Sequence, residues 1–184
     1  MHRILKKNEI LTIPNLLSFF RLALIPVIAW AYCKLQDYYL ALGLIVLSGI
    51  TDVADGIIAR KFNMISDFGK ILDPIADKFT QGILIICLTT KYKLMIPLVI
   101  LFALKESIMI VIGYFLIKNH DKVSGAKWYG KANTVLLYTV ISLLVLFPEI
   151  PLTVANVMII VSAISIIISF ILYAVFYYKI AKEK

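Results

Sequence analysis

Four aspartates lie within one short stretch of the chain: Asp52, Asp55, Asp73 and Asp77. The first two are three residues apart and the last two are four apart, so each pair lies on one helix face if both flanks are helical. We expect the two helices to form a hairpin whose turn runs from about residue 61 to residue 68. The four carboxylates would then meet near the closed end of that hairpin.

Carboxylates gathered in an apolar setting repel one another, and burying even one of them is costly unless a positive charge neutralises it. The stretch offers hard oxygen ligands and contains no His or Cys. This donor set favours Mg²⁺ or Mn²⁺ over Zn²⁺. The sequence therefore predicts a divalent metal site, with two ions expected, held by the same four carboxylates: Asp52, Asp55, Asp73 and Asp77.

Small residues accompany the aspartates at Gly56, Ala59 and Gly69. Residues without a bulky side chain allow a ligand or a neighbouring helix to approach the backbone closely. Arg60 ends the first predicted helix and offers a planar pair of N–H donors to a phosphate oxygen. A diphosphate bridged by metal ions fits this set of groups.

The stretch resembles the signature of the CDP-alcohol phosphatidyltransferases, D-x2-D-G-x2-A-R-x8-G-x3-D-x3-D. Its eight fixed positions are all present, without a gap or substitution: Asp52, Asp55, Gly56, Ala59, Arg60, Gly69, Asp73 and Asp77. The resemblance extends to residues 13–26 (IPNLLSFFRLALIP) and 125–134 (GAKWYGKANT), so it covers most of the chain. It implies transfer of the phosphatidyl group of CDP-diacylglycerol to an alcohol, with release of CMP.

The resemblance also implies residue roles. Asp77 corresponds to the aspartate proposed as the general base for the attacking hydroxyl. The cytidine diphosphate part of the substrate would be held by five of the signature residues: Asp52, Gly56, Ala59, Arg60 and Gly69.

Residues outside the signature are candidates for binding the acceptor. Arg21 lies partway along the first apolar run and matches the family's P-N-x5-R pattern; the alternative is a cation that reaches the membrane interface. Lys105 and Glu106 interrupt the fourth predicted span, and they either form structural ion pairs with neighbouring residues or line an acceptor pocket. Lys131, beside a glycine at a helix start, suits an acceptor phosphate, and Thr134 follows it.

Two alcohols are candidates for the acceptor. Glycerol 3-phosphate, giving phosphatidylglycerol phosphate, is the first prediction because Lys105 and Lys131 suit its phosphate. The alternative is phosphatidylglycerol, giving cardiolipin. It is favoured by Asn133, which stands where phosphatidylglycerophosphate synthases carry a lysine in G-K-x-K-T, and by the absence of an arginine after Glu106.

The composition identifies a membrane protein. The 184 residues are 61% hydrophobic with a mean hydropathy of +0.93, far above the range of soluble globular proteins. We expect a single all-α domain, 1–184, with six transmembrane helices and a short amphipathic segment at residues 1–12 that lies along the membrane. The predicted spans are about 13–33, 38–58, 71–88, 94–117, 132–147 and 152–178, with a polar loop at 118–131.

The net charge of +8 indicates an anionic membrane surface, not nucleic acid, because the lysines lie at the ends of apolar runs. With a cytoplasmic N-terminus, the inner segments hold thirteen Lys and Arg residues and the outer loops hold three. The positive-inside rule therefore predicts that both termini and the signature face the cytoplasm of a cell (inner) membrane. The family resemblance also implies that the protein forms a homodimer.

A different class of protein also uses buried carboxylates in a helical bundle, namely cation-coupled carriers. Such carriers usually contain inverted repeats, and residues 94–184 contain no second copy of the aspartate pattern. Release of CMP from CDP-diacylglycerol distinguishes the enzyme from the carrier.

Overall fold

The computed structural model describes residues 12–62, 64, 66, 68–120 and 127–182, and all of its regular secondary structure is helical. The elements, in chain order, are α1 Ile13–Trp30, the π-helical turn Ala31–Leu35, α2 Tyr38–Lys61, α3 Gly69–Leu88, α4 Met95–His120, α5 Trp128–Leu146 and α6 Leu152–Lys182. The all-α prediction is therefore confirmed for this part of the chain. The amphipathic segment predicted at residues 1–12 lies outside the described residues, except for Thr12.

Within the part of the chain that the structure describes, five helical segments are long and apolar enough to cross a membrane: Ile13–Leu35, Tyr38–Lys61, Met95–Ile112, Trp128–Leu146 and Leu152–Tyr178. Large apolar side chains cover their outer faces, with Ile50 61% and Ile110 71% exposed. An apolar exterior of this kind suits contact with lipid, since soluble proteins seldom expose large apolar patches. These segments agree with five of the six predicted spans.

The third predicted span, 71–88, differs from the other five. It coincides with α3, which is not among the helices apolar enough to cross. The physical reason is that Lys70, Asp73, Asp77 and Lys78 all lie in the first half of this helix. Only the segment from Phe79 to Leu88 is free of charge, and this is about half the length that a span requires.

The predicted loop at 118–131 is shorter than expected. Residues 118–120 continue α4, and α5 already begins at Trp128. Lys131 therefore lies in the first turns of α5, as expected for a lysine near a helix start.

Contacts divide the chain into two compact units, residues 1–87 and 88–184. In the first unit α1 packs along α2. In the second unit α6 packs against both α4 and α5. The single-domain assignment of residues 1–184 stays a prediction.

Local caps fix the first two helices. The Thr12 hydroxyl accepts a hydrogen bond from the Asn15 backbone N–H at 3.4 Å, which caps the start of α1. After the π-helical turn, Gln36 adopts a left-handed conformation (φ 52°) that ends the first helical segment. The Asp37 carboxylate then accepts from the Leu40 N–H at 2.9 Å and starts α2. These caps set the direction in which α2 carries the first two signature aspartates.

Candidate active site

One face of α1 is polar although the helix is apolar overall. Asn15, Ser18 and Arg21 follow one another at a spacing of three residues, and each is at most 1% exposed. This spacing places them along one side of the helix. Because α1 packs against α2, the polar face is directed into the first unit, towards the signature residues.

Arg21 forms ion pairs with both aspartates of the first signature pair. One terminal nitrogen, Nη1, contacts Asp52 and the other, Nη2, contacts Asp55. The Arg21 and Asp55 side chains are 2% and 4% exposed, whereas that of Asp52 is 48% exposed. Burial of a guanidinium is tolerated because paired carboxylates compensate the charge, so Arg21 and this aspartate pair form one electrostatic unit.

Ser18 connects the two aspartate pairs. Its hydroxyl lies 2.5 Å from Oδ1 of Asp73 on α3 and 3.3 Å from Oδ2 of Asp55 on α2. The two carboxylate oxygens are therefore no further apart than the sum of these distances. The structure brings Asp52, Asp55 and Asp73 together around two side chains of α1, as the signature predicts.

The turn before α3 is held by a second group on α1. The Asn15 amide donates to the Ser66 hydroxyl at 3.1 Å, and that hydroxyl accepts from the Gly69 N–H at 2.9 Å. A Cβ atom at Gly69 would lie 2.5 Å from Oδ1 of Asn15 and 3.0 Å from Oγ of Ser66. Only glycine leaves room for this contact, so the signature glycine allows α1 to approach the start of α3 closely.

Arg60 lies on the exposed side of the last turn of α2. Its Nε donates to the Gly56 carbonyl at 3.0 Å, and a Cβ at Gly56 would lie 3.5 Å from Nη2 of Arg60. The Arg60 side chain therefore lies back along its own helix, at a distance that would still leave a Cβ at position 56 in ordinary van der Waals contact. Ala59, the preceding residue, is half-buried.

Asp77 follows Asp73 by one turn of α3 and is half-buried. Within the described part of the chain, no group of three or more His, Cys, Asp or Glu side chains is arranged as a ready metal cluster. The Arg21 guanidinium contacts two of the carboxylates. The donor set itself fits Mg²⁺ or Mn²⁺, since three carboxylates with hard oxygen atoms converge around Arg21 and Ser18.

The remaining predicted acceptor residues belong to the second unit. Lys105 and Glu106 form an ion pair at 2.6 Å with side chains 6% and 15% exposed, which agrees with the structural reading of these residues. Lys131 is exposed and Thr134 is half-buried on α5. The acceptor roles of Arg21, Lys105, Lys131 and Thr134 stay predictions.

The surroundings of Asn133 indicate a role in helix packing and not in substrate binding. It is 4% exposed, and its Oδ1 accepts a hydrogen bond from the Ser165 hydroxyl on α6 at 3.0 Å. A buried interhelical hydrogen bond of this kind stabilises helix packing in a membrane protein. The residue that breaks the G-K-x-K-T pattern therefore joins α5 to α6.

Two residues of this site were missed by the sequence analysis, Ser18 and Ser66. Ser18 was detectable, because it lies midway between Asn15 and Arg21 on a three-residue spacing in an otherwise apolar helix. Ser66 carries no such signal, since it lies in a turn whose contacts depend on how α1 packs.

Comparisons with known proteins identify the family of this chain. A model of the CDP-alcohol phosphatidyltransferase family matches residues 11–177. A cardiolipin synthase (CMP-forming) of Streptomyces coelicolor is 33% identical over 144 residues, 76% of this chain and 67% of that protein. The chain therefore belongs to the CDP-alcohol phosphatidyltransferase family.

Shorter matches reach two other relatives. A CDP-diacylglycerol–glycerol-3-phosphate 3-phosphatidyltransferase of Rickettsia bellii is 48% identical over 81 residues, 43% of this chain and 45% of that protein. A cardiolipin synthase (CMP-forming) of Rattus norvegicus is 39% identical over 108 residues, 58% of this chain and 35% of that protein. The matches thus span less than two thirds of either relative.

Proposed function

We propose that this protein is a phosphatidyltransferase that uses CDP-diacylglycerol and an alcohol to make a phospholipid and CMP. The observation that carries the proposal is the convergence of Asp52, Asp55 and Asp73 around Arg21 and Ser18. Family membership and the names of the relatives support the same reaction.

The chemistry is a displacement at the phosphorus that bears the diacylglycerol. The oxygen of the acceptor hydroxyl forms a bond to this phosphorus, the bond between the phosphorus and the oxygen of CMP breaks, and CMP leaves with the bonding electron pair. Asp77 takes the proton of the attacking hydroxyl. Arg60, with Nε fixed to Gly56, offers its terminal N–H groups to the diphosphate. Gly56 and Ala59 allow the nucleotide to approach α2 closely. Gly69 is proposed to contribute to the nucleotide site by allowing α1 to pack against the start of α3.

Divalent metal ions, Mg²⁺ or Mn²⁺, belong to this proposal. Asp52, Asp55, Asp73 and Asp77 would hold two of them. When bound, they would supply charge stabilisation for the diphosphate and the leaving oxygen. The chemistry of the donor set supports the assignment, because three carboxylates with hard oxygen atoms converge around Arg21 and Ser18.

Glycerol 3-phosphate is the first candidate acceptor, and the Rickettsia bellii relative is named for this alcohol. The exposed Lys131 suits its phosphate, with Lys105 and Thr134 as further proposed contacts and Arg21 as a fourth. Phosphatidylglycerol is the second candidate. It is favoured by the Streptomyces coelicolor relative, which is named a cardiolipin synthase and matches most of this chain.

The proposal includes an arrangement in the cell membrane. Six crossings, with α3 as the third, would bring both termini and the signature to the cytoplasmic face. At 20 residues α3 is long enough for a crossing of the hydrocarbon core, although its first half is charged. Divalent ions held by Asp73 and Asp77 would compensate the negative part of this charge. A homodimer is proposed from family resemblance.

The direct test uses the full chain purified into lipid nanodiscs with CDP-diacylglycerol, Mg²⁺ and one acceptor at a time. We expect CMP release with glycerol 3-phosphate, and chromatography of the lipid product separates phosphatidylglycerol phosphate from cardiolipin. Chelation of divalent ions should abolish the release. Cation flux in liposomes without CMP release would contradict the enzyme and favour the carrier.

The role of Asp77 is tested in the same assay with Asp77→Asn. We expect less than a few per cent of the wild-type rate, because an amide cannot accept the proton. Asp37→Asn is the matched control, because Asp37 is exposed, lies at the opposite end of α2 and only caps that helix, a role in which Asn serves equally well. Substantial activity of Asp77→Asn with intact nucleotide binding would contradict the assignment.

A further inference from the structure

Arg21 occupies an unusual position for an arginine in an apolar helix. Its guanidinium is almost fully buried, and its two terminal nitrogens contact Asp52 and Asp55 separately. Among the described residues, no hydrogen-bond partner is found for its Nε or Nη1, and the contact of Nη1 with Asp52 is an ion pair. The side chain is therefore held by two carboxylates of the signature and not by backbone carbonyls.

We infer that Arg21 is a built-in counter-cation that competes with divalent metal ions for Asp52 and Asp55. The inference rests on the proposed function, in which these two aspartates are metal ligands. Arg21 compensates one of their two negative charges in the metal-free protein, and metal binding requires that at least one Arg21 contact be given up or shared. Arg21 is thus a positioning residue that sets metal affinity.

The electrostatic reason is direct. A guanidinium in contact with a carboxylate repels a divalent cation that approaches the same oxygen atoms, and this repulsion is strong where water is excluded. Arginine stays charged at all accessible pH values, so the repulsion is not relieved by loss of a proton. The site then binds metal more weakly than its carboxylates alone would, and the bound ion exchanges more readily.

The geometry indicates where the exchange begins. The Asp52 side chain is about half exposed, whereas that of Asp55 is buried and also lies 3.3 Å from the Ser18 hydroxyl. The Asp52 contact with Arg21 is therefore the one that an incoming ion reaches from outside. The Asp55 contact holds the guanidinium in place meanwhile.

The test is Mn²⁺ binding to the full chain in detergent, measured by electron paramagnetic resonance of free Mn²⁺, without any lipid substrate. We expect Arg21→Gln and Arg21→Met to bind Mn²⁺ with a Kd about tenfold lower than the wild type. Met offers no hard oxygen ligand, so tighter binding by Arg21→Met is not due to a new ligand. A residue with only a structural role would weaken metal binding when removed.

Thermal unfolding gives a second readout. Without metal, both variants should melt at a lower temperature than the wild type, because the carboxylates lose their counter-charge. Added Mn²⁺ should raise the melting temperature of the variants more than that of the wild type, since tighter binding stabilises more. Arg21→Lys keeps the charge but not the two-pronged contact, so its Mn²⁺ affinity should fall between those of the wild type and Arg21→Gln.

Lys61→Gln is the matched control for net charge. Lys61 is exposed at the end of α2, and its loss should change the Kd for Mn²⁺ by less than about twofold because solvent and salt screen it. Unchanged or weaker Mn²⁺ binding by the Arg21 variants, with normal binding by the wild type, overturns this inference alone. Absence of Mn²⁺ binding by the wild type and every variant overturns the metal assignment of the proposed function as well.

Discussion

The Ser18 hydroxyl has three neighbouring oxygens and only one proton to donate. Oδ1 of Asp73 lies 2.5 Å away, the Pro14 carbonyl 3.2 Å and Oδ2 of Asp55 3.3 Å. A serine O–H donates one hydrogen bond at a time, so the Ser18 hydroxyl donates to its nearest acceptor, the Asp73 carboxylate. Asp55 accepts a hydrogen bond from Arg21, so the buried Asp55 and the half-buried Asp73 each receive a donor from α1.

Removing the Ser18 hydroxyl should therefore lower the free energy of unfolding by a large amount for the loss of one oxygen atom. We expect Ser18→Ala to lower the free energy of unfolding of the metal-free protein by about 2 kcal/mol, because a buried hydrogen bond to a charged group is lost. Thermal or denaturant unfolding in detergent measures the change. Ser162→Ala is the matched control.

Ser162 suits this comparison because it is also fully buried, but its hydroxyl bonds only to the Met158 carbonyl of its own helix at 3.0 Å. Its removal should cost less than about 1 kcal/mol. Equal effects of the two substitutions would show that the Ser18 hydroxyl makes no special contribution between the aspartates.

At the scale of elements, α1 organises the first unit. Its polar face bonds to α2 through Arg21, to α3 through Ser18 and to the turn before α3 through Asn15. Phe19 adds an apolar contact to the same turn, with its ring centroid 6.0 Å from that of Phe68. One helix thus sets the relative positions of the two halves of the signature.

The sequence predicts some of these elements better than others. Local spacing places Asp52 with Asp55 and Asp73 with Asp77, because helix periodicity alone decides which residues share a face. The contact between Ser66 and Asn15 depends on packing between residues far apart in the chain, which periodicity does not encode. The length of α4 was underestimated for a related reason, since polar residues at 118–120 continue a helix that an apolar pattern would end.

The close approach of α1 to α3 predicts the effect of Gly69→Ala. The added Cβ would lie 2.5 Å from Oδ1 of Asn15, so either the Asn15 side chain or the start of α3 must move. We expect a loss of about 1 to 3 kcal/mol in the free energy of unfolding. Activity should fall as well, because Asp73 lies one turn further along α3.

A double-mutant cycle tests the cause of this loss. Asn15→Ala removes the clashing atom, so the Gly69→Ala penalty should shrink in the Asn15→Ala background. Gly49→Ala on α2 is the control, because its Cβ would have no neighbour within 4 Å, and it should leave stability unchanged or raise it by about 0.5 to 1 kcal/mol. A Gly69→Ala penalty of the same size in both backgrounds would contradict the proposed clash with Asn15.

At the scale of the whole molecule, the second unit has its own stabilising contacts, which are aromatic packing and a hydrogen bond between the start of α5 and α6. The Tyr173 hydroxyl on α6 accepts from the Lys127 N–H at 3.2 Å, and the Tyr129 and Tyr173 rings meet edge to face at 4.6 Å. A Cβ at Gly130 would lie 3.0 Å from two ring atoms of Tyr173. The start of α5, where Lys131 lies, is therefore fixed against α6 by aromatic packing and a close glycine contact.

The number of membrane crossings is the property of the whole chain on which the proposed orientation depends. If α3 crosses, the turn after it, which contains the exposed Lys93, lies outside the cell. If α3 stays on the inner surface, that turn lies inside and the C-terminus is placed on the opposite side from the N-terminus. The charge in the first half of α3 opposes a crossing of the membrane. Ions bound by the aspartates would compensate part of this charge and would therefore favour the crossing.

Cysteine labelling of intact cells separates the two arrangements. In a background in which Cys33 is replaced by Ser and Cys87 by Ala, we expect Lys93→Cys to react with a membrane-impermeant maleimide from outside. Lys61→Cys, exposed at the end of α2, should react only after the membrane is permeabilised. Protection of Lys93→Cys until permeabilisation would show that α3 does not cross. Because charged groups enter a bilayer at a high cost unless they are compensated, we expect α3 to cross only if its aspartates are neutralised.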